Sequence, residues 1–290
     1  MTVDRTRGYQ LFRVINTIVL TGVLLVTLYP FVNIVARSFS DEFAIRAGKV
    51  NLFPVGFTFR TYEFVASDPT FWTNYRNTVV YTVVATAIAM FMTTCYAYVL
   101  SKSHLKGRKI LIGIAVFTMF FSGGLIPNYI LISSLGFTDS IWSIVLPNAI
   151  SVFNLLVMKA FFEGMPTDLE EAAAIDGMNT YGILLRIVLP LSKAVLATMV
   201  LFYAVSFWNS WFAAFLYMSQ SDLFPVTVYL RNLIAGATTG TSVGADATDL
   251  TVATNIKSVT MVLTVIPILV VYPFVQRYFV KGVMLGAVKG

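Results

Sequence analysis

EAAAIDGMNTYGILLRIVLP, residues 171–190, is a polar, acid-bearing stretch lying between two long apolar runs. Ala172, Ala173 and Ala174 are the best helix formers. Gly177 then supplies a stop, because glycine enters the left-handed conformation freely. Upstream, Thr167 and Glu170 follow Pro166 with the spacing of a capping box. Asp168, Glu170 and Glu171 crowd the first turn, where the helix dipole favours negative charge. Asn179 and Thr180 start a second short helix, expected to end before Pro190. The segment from about 163 to 193 therefore reads helix, glycine turn, helix.

The surrounding composition places that segment. Of 290 residues 57% are hydrophobic and 12% charged, against about 25% charged in ordinary soluble domains. Mean hydropathy is +0.78. A chain of that kind is an integral membrane protein, all-α and forming one transmembrane domain over residues 1–290. A bilayer core takes about 20 apolar residues in a helix. Runs of that length fall at about 14–36, 77–100, 110–132, 141–162, 194–217 and 259–280, giving six spans. The first lacks the small-residue cleavage site of a signal peptide. Pro30 should kink it, which neighbouring groups in a bundle tolerate.

Basic residues set the orientation. Arg5, Arg7 and Arg13 lie at the amino end, Lys102, Lys106, Arg108 and Lys109 after the second span, and Arg277, Lys281 and Lys289 at the carboxyl end. Six spans put all three groups on one side, and the positive-inside rule makes it the cytoplasmic side of the cell's inner membrane. The same rule accounts for the net charge of +6, so nucleic acid is not an expected partner, whereas membrane lipid is. Asn51, Leu52, Phe53 and Pro54, with Phe71, Trp72 and Tyr75, point to a short interfacial helix in the first external loop, about 37–76. The second loop, about 218–258, is rich in Gly, Thr, Ser and Asp from Gly236 to Thr251 and reads as flexible. Cys95 and His104 are the lone cysteine and histidine, so neither a disulfide nor a metal site is expected.

No ionisable residue sits mid-span, where ion-coupled carriers keep them. Lys159 and Arg277 lie near span ends, where long side chains snorkel. No GxxxxGK[ST] phosphate loop occurs, so the chain is not itself an ATPase and binds no cofactor of its own. If it transports, another subunit supplies the energy. The 163–193 segment is then either an amphipathic hairpin lying under the bundle or a protein-docking element. Its acidic start favours docking, because an anionic inner leaflet attracts basic segments and repels acidic ones.

Glu171-Ala172-Ala173, three residues, Gly177, nine residues, Ile187, one residue and Leu189-Pro190 match every fixed position of the EAA loop of bacterial ABC importer permeases. The aromatic run Phe207-Trp208-Asn209-Ser210-Trp211 and the ending Lys281 to Gly290 resemble the carbohydrate type. Phe121-Ser122-Gly123-Gly124-Leu125-Ile126-Pro127 is similar to the branch importing larger oligosaccharides, including pectic and alginate fragments. The resemblance implies a type I importer transmembrane domain, a second permease subunit forming a heterodimer, two cytosolic ATPase subunits holding ATP and Mg, and an extracytoplasmic sugar-binding protein. It implies a coupling helix, with Glu170, Glu171, Ala172, Ala173, Asp176 and Gly177 at the ATPase contact. The tail at Lys289 and Gly290 also reaches the ATPase in such proteins.

Sugars are held by aromatic platforms and neutral hydrogen-bonding groups. Asn128, Asn154, Tyr203, Trp208, Asn209 and Trp211 are the span residues of that chemistry put forward for a path, and Tyr129 is of the same kind. Each has an ordinary alternative, since Trp and Tyr favour membrane interfaces and Asn joins helices. Gly123 and Gly124 before Pro127 are expected to permit a break or close packing rather than to touch a ligand. Import of a different solute, or ion-coupled carriage, are the competing functions.

Overall fold

A computed structural model describes residues 7–239 and 255–273. Every regular element among them is helical, in agreement with the all-α expectation. The chain divides into two compact units, residues 1–69 with 230–265, and residues 70–229 with 266–290.

In the first unit α1 (Arg7–Ser38) continues through Pro30 without interruption. Its apolar side chains face outward along almost the whole length, Val26 being 74% exposed. An apolar surface of that extent is compatible with lipid, not water. At its far end α1 meets two short helices, α2 (Glu42–Arg46) and α3 (Arg60–Ser67), where a single interfacial helix was expected. Ala36, Ile45 and Val50 form a small core there. Ser40 Oγ donates to the Ala36 carbonyl at 2.6 Å and accepts from the Val55 N–H at 3.1 Å. Phe39 stacks on Phe57 and Tyr62, with ring centroids 5.5 and 4.9 Å apart. Burial pushes the Tyr62 hydroxyl pKa up, against the lowering effect of its hydrogen bond with Ser38.

The second unit is organised on α4 (Pro69–Ser101), an unbroken helix. Its inward face repeats small residues, among them Thr78, Thr82, Ala85, Thr86, Ala89, Thr93 and Ala97. Small side chains let neighbouring helices approach closely where lipid removes the hydrophobic drive for association. One core gathers Ala97, Leu100, Leu155, Met158, Val188 and Met199. A second gathers Ala85, Ala89, Ile144, Val145, Tyr203 and Phe207.

Three of the six expected apolar runs are not single helices. α5 (Arg108–Phe120) and α6 (Leu125–Ser134) meet at 114°. Gly124, at φ +91°, occupies a conformation a Cβ would oppose, so Gly123-Gly124 does mark a break. α7 (Trp142–Val145) leads through a tight turn at Pro147 into α8 (Val152–Glu163), with a bend of 48°.

α9 (Thr167–Ile175) and α10 (Thr180–Ile183) follow. The second helix does not end before Pro190 as expected, but runs on into α11 (Leu189–Leu191). A wide turn over Leu184–Val188 makes this possible, with the Leu189 N–H donating to the Leu184 carbonyl. Widening the turn shifts the carbonyl that a proline ring four residues later would strike, and Pro190 has no N–H to lose. The chain then bends by 84° into α12 (Lys193–Trp208), and α13 (Phe212–Tyr217) completes the aromatic run after a short break.

α14 (Val226–Thr239) is anchored at its start, where Thr78 Oγ1 accepts from the Val226 N–H at 2.7 Å. Residues 236–239, assigned to a flexible loop on composition, are therefore helical. The last described helix is α15 (Asn255–Pro273). The remainder of the Gly236–Thr251 stretch, Arg5, Arg277 and the tail from Lys281 to Gly290 lie outside the described residues.

Candidate functional site

α9 presents two unlike faces. Ala173 is 4% exposed and packs into the core beneath α4, whereas Ile175 is 86% exposed and Glu171, Ala172 and Asp176 also face outward. The helix ends on a pair of crossed bonds. The Met178 N–H donates to the Ala173 carbonyl at 3.0 Å and the Gly177 N–H to the Ala174 carbonyl at 3.0 Å, with Gly177 at φ +80°. This is a Schellman arrangement, and it uses the glycine for the left-handed step read from the sequence. Asn179 Oδ1 then accepts from the Gly182 N–H at 2.8 Å, capping α10 as expected. Tyr181, just beyond, is 78% exposed.

The capping box does not form. Pro166 is the cap residue, Thr167 is already helical, and no side chain caps this end. The Glu170 carboxylate turns instead to Lys102, with which it pairs, and accepts from Tyr98 Oη at 3.3 Å. Lys102 Nζ also lies 4.1 Å from the Tyr98 ring centroid. A charged partner is worth more than a backbone N–H that water can serve.

A second ionic group adjoins it. Glu163, the last residue of α8, pairs with Arg108 and, at 2.8 Å, with Lys159. Lys159 is thus held by a carboxylate rather than simply snorkelling. Arg108 Nε donates to the Leu100 carbonyl at 2.7 Å. Between α4, α8 and α9 a small half-polar cleft of about 210 Å³ opens, with Lys102, His104, Glu163, Glu170 and Glu171 on its walls.

Elsewhere in the second unit a cleft of about 510 Å³ lies between the 147–154 and 202–207 segments. Its walls combine Asn148, Ser151, Asn154 and Ser206 with Phe153, Phe202, Tyr203 and Phe207. The Tyr203 hydroxyl is committed to the fold, accepting from the Ser151 N–H at 2.9 Å and sharing a hydrogen bond with Thr93 at 2.6 Å. Its ring lies parallel to that of Phe207 within 17°, and both residues line the cleft. Aromatic faces beside hydrogen-bonding groups are suited to a hydroxyl-rich ligand.

No family model matches the chain. Protein LplC of Bacillus subtilis (strain 168) is 42% identical over 290 residues, 100% of this chain and 98% of that protein. The polygalacturonan/rhamnogalacturonan transport system permease protein YtcP of the same organism is 40% identical over 92% of this chain and 94% of its own length. The chain belongs to the carbohydrate-importer family of ABC transporter permeases. In line with this, the permease matches the crystal structure of a bacterial ABC transporter involved in the import of the acidic polysaccharide alginate. The TM-score is 0.88 at 33% identity, over 96% of this chain and 100% of that one.

The six loop residues expected at an ATPase contact do not share a face. Glu171, Ala172, Asp176 and Gly177 are exposed in the permease, while Ala173 and Glu170 face its interior. Of the six path candidates, Asn154 and Tyr203 line the polar cleft together. Trp208 lines a separate apolar pocket of about 280 Å³ with Val79, Thr82 and Leu201, its ring edge-on to Tyr75 at 5.9 Å. Asn209 spends its amide on the Val205 carbonyl at 2.8 Å, and Trp211 packs with Phe212 and Phe215. Asn128 sits exposed in the first turn of α6, after the broken corner. Sequence reasoning missed Asn148, Ser151 and Ser206. The signal was present: with Asn154 the first two repeat every three residues, and Ser206 follows Tyr203 by three.

Proposed function

We propose that this permease moves an oligosaccharide, of the acidic class that pectic and alginate fragments represent, across a bacterial cytoplasmic membrane by alternating access. Both termini are cytoplasmic. A second, different permease subunit completes the path, a binding protein delivers the sugar from outside, and two cytosolic ATPase subunits bind ATP and Mg. The substrate class is supported by what YtcP transports and by the alginate importer, both named above for their substrates.

The observation that carries the coupling part is the placement of Ile175. Burying a full isoleucine side chain is worth about 1.5–3 kcal/mol, yet the chain leaves Ile175 86% exposed beside exposed Ala172 and Glu171. A partner that covers this patch gains that apolar area, with Glu171 supplying a charge at its rim. ATP-driven closure of the ATPase pair then pushes on α9, which is seated in the core by Ala173. The polar cleft at Asn154 and Tyr203 lines this subunit's part of the sugar path. Among the described residues the Asn154 amide has no hydrogen-bond partner, which leaves it available to a hydroxyl.

Proteoliposomes holding the permease, its partner subunits and a sugar-loaded binding protein test the reading. Uptake of labelled oligogalacturonide should require ATP, and Glu171→Lys or Ile175→Asp should strip the ATPase from the purified complex. Uptake that persists without ATP and collapses with an ion gradient would refute it.

A further inference from the structure

The link between α8 and α9 is only Gly164, Met165 and Pro166. Glycine permits a wide range of backbone angles, so a helix hung on such a link pivots unless something else restrains it. Two carboxylates flank the link, Glu163 on one side and Glu170 on the other. Both are bound by cations that follow α4, Lys102 just past its end and Arg108 at the first position of α5. Glu170 takes Lys102 and Tyr98, and Glu163 takes Arg108, which also holds the Leu100 carbonyl at 2.7 Å.

The charges agree with the helix ends they occupy. Lys102 stands just past the carboxyl end of α4 and Glu170 in the first turn of α9, each at the pole that favours its sign. Glu163 stands at the carboxyl end of α8, where the dipole disfavours an anion, and it takes two cations, Arg108 and Lys159. Lys102 and Glu170 are each 22% exposed, enough burial that water screens the pair only in part.

From this we infer that Lys102 is a positioning residue that straps α9 to the end of α4 through Glu170, while Arg108 fixes the end of α8 through Glu163, so that displacement of α9 is passed to the α4 span rather than lost in rotation about Gly164–Pro166. The inference rests on α9 being the element the ATPase pushes. It gives Glu170 an inward task distinct from any contact with the ATPase. Cutting the strap leaves docking in place and wastes the stroke.

The test uses the full importer in proteoliposomes, reading sugar uptake and ATP hydrolysis together. Lys102→Met keeps an unbranched side chain of similar length and removes the charge that lies over the Tyr98 ring, and Glu170→Gln keeps the shape of the carboxylate. Each should retain the ATPase on purification and lower sugar moved per ATP about fivefold or more. The double exchange Lys102→Glu with Glu170→Lys should recover most of that ratio, a rescue that loss of packing alone would not show. An unchanged ratio in both single variants overturns the inference, as does a double exchange no better than the singles. Glu171→Lys, run alongside, reports on docking itself. If it still retains the ATPase, the coupling reading fails, whereas if only it loses the ATPase and the Lys102 ratio is unmoved, the strap alone fails.

Discussion

Glu170 and Glu171 are adjacent in the chain and border one cleft but differ in exposure: Glu170 is turned in against Lys102 and Tyr98, and Glu171 is exposed. Their neutral amides should therefore have different effects. Glu170→Gln breaks a half-buried pair and should cost about 1 kcal/mol, between the values of exposed and buried ion pairs. Glu171→Gln should leave stability within about 0.5 kcal/mol, as surface substitutions do. Thermal unfolding of the purified permease complex checks both, and equal shifts would contradict the assignment of faces.

Ala172 and Ala173 give a second pair of neighbours with separate expected effects. Ala173 is packed among Leu100, Met158 and Phe162, so Ala173→Leu should overfill the core and cost about 1–3 kcal/mol. Ala172→Leu adds bulk to the outward face and should leave the thermal midpoint unchanged while reducing co-purification of the ATPase. A stable Ala173→Leu variant would show that α9 is not seated by this residue.

At Gly177 nothing lies within 4 Å of the position a Cβ would take, so a substitution meets strain and not a clash. The left-handed conformation costs an ordinary residue about 1–2 kcal/mol, partly offset by the roughly 0.4–1 kcal/mol gained from a stiffer unfolded chain. Gly177→Ala should therefore destabilise by about 1 kcal/mol, and Gly177→Asn by less, because asparagine tolerates that region. Gly177→Pro, whose ring demands a negative φ, should abolish the turn and ATPase association with it. Unfolding midpoints ranking in any other order would argue against the crossed-bond turn.

These cases mark what local sequence conveys about this fold. The alanine-rich helix, its glycine turn and the Asn179 cap depend on residues at most five apart, and each formed as the local rules require. The capping box at Thr167 and Glu170 obeyed the same kind of rule and failed, because Lys102 lies 68 residues away in sequence and beside Glu170 in space. Pro190 was misread for a related reason: the wide turn at Leu184–Val188 is a backbone adjustment that no residue type announces. The polar cleft needed two helices laid together. Asn154 and Tyr203 were legible as suitable chemistry, but which of the six candidates face one another is decided by packing. Trp208 went to the Tyr75 side for that reason alone.

Tyr203 and Asn154 share a cleft and should separate fold from transport. The Tyr203 hydroxyl serves two buried groups, the Ser151 N–H at 2.9 Å and the Thr93 hydroxyl at 2.6 Å. Tyr203→Phe keeps the ring and leaves both partners without it, so it should cost about 1–3 kcal/mol of stability. Its aromatic face survives, and uptake by the protein that remains folded should fall little. Asn154→Ala removes an amide that binds nothing else among the described residues. Stability should hold within about 1 kcal/mol, while the loss of one hydrogen bond to a passing sugar should lower uptake about threefold to tenfold. Measuring uptake per folded complex alongside the thermal midpoint distinguishes the two. Should Asn154→Ala unfold the protein and Tyr203→Phe block uptake, their roles would be the reverse of those assigned.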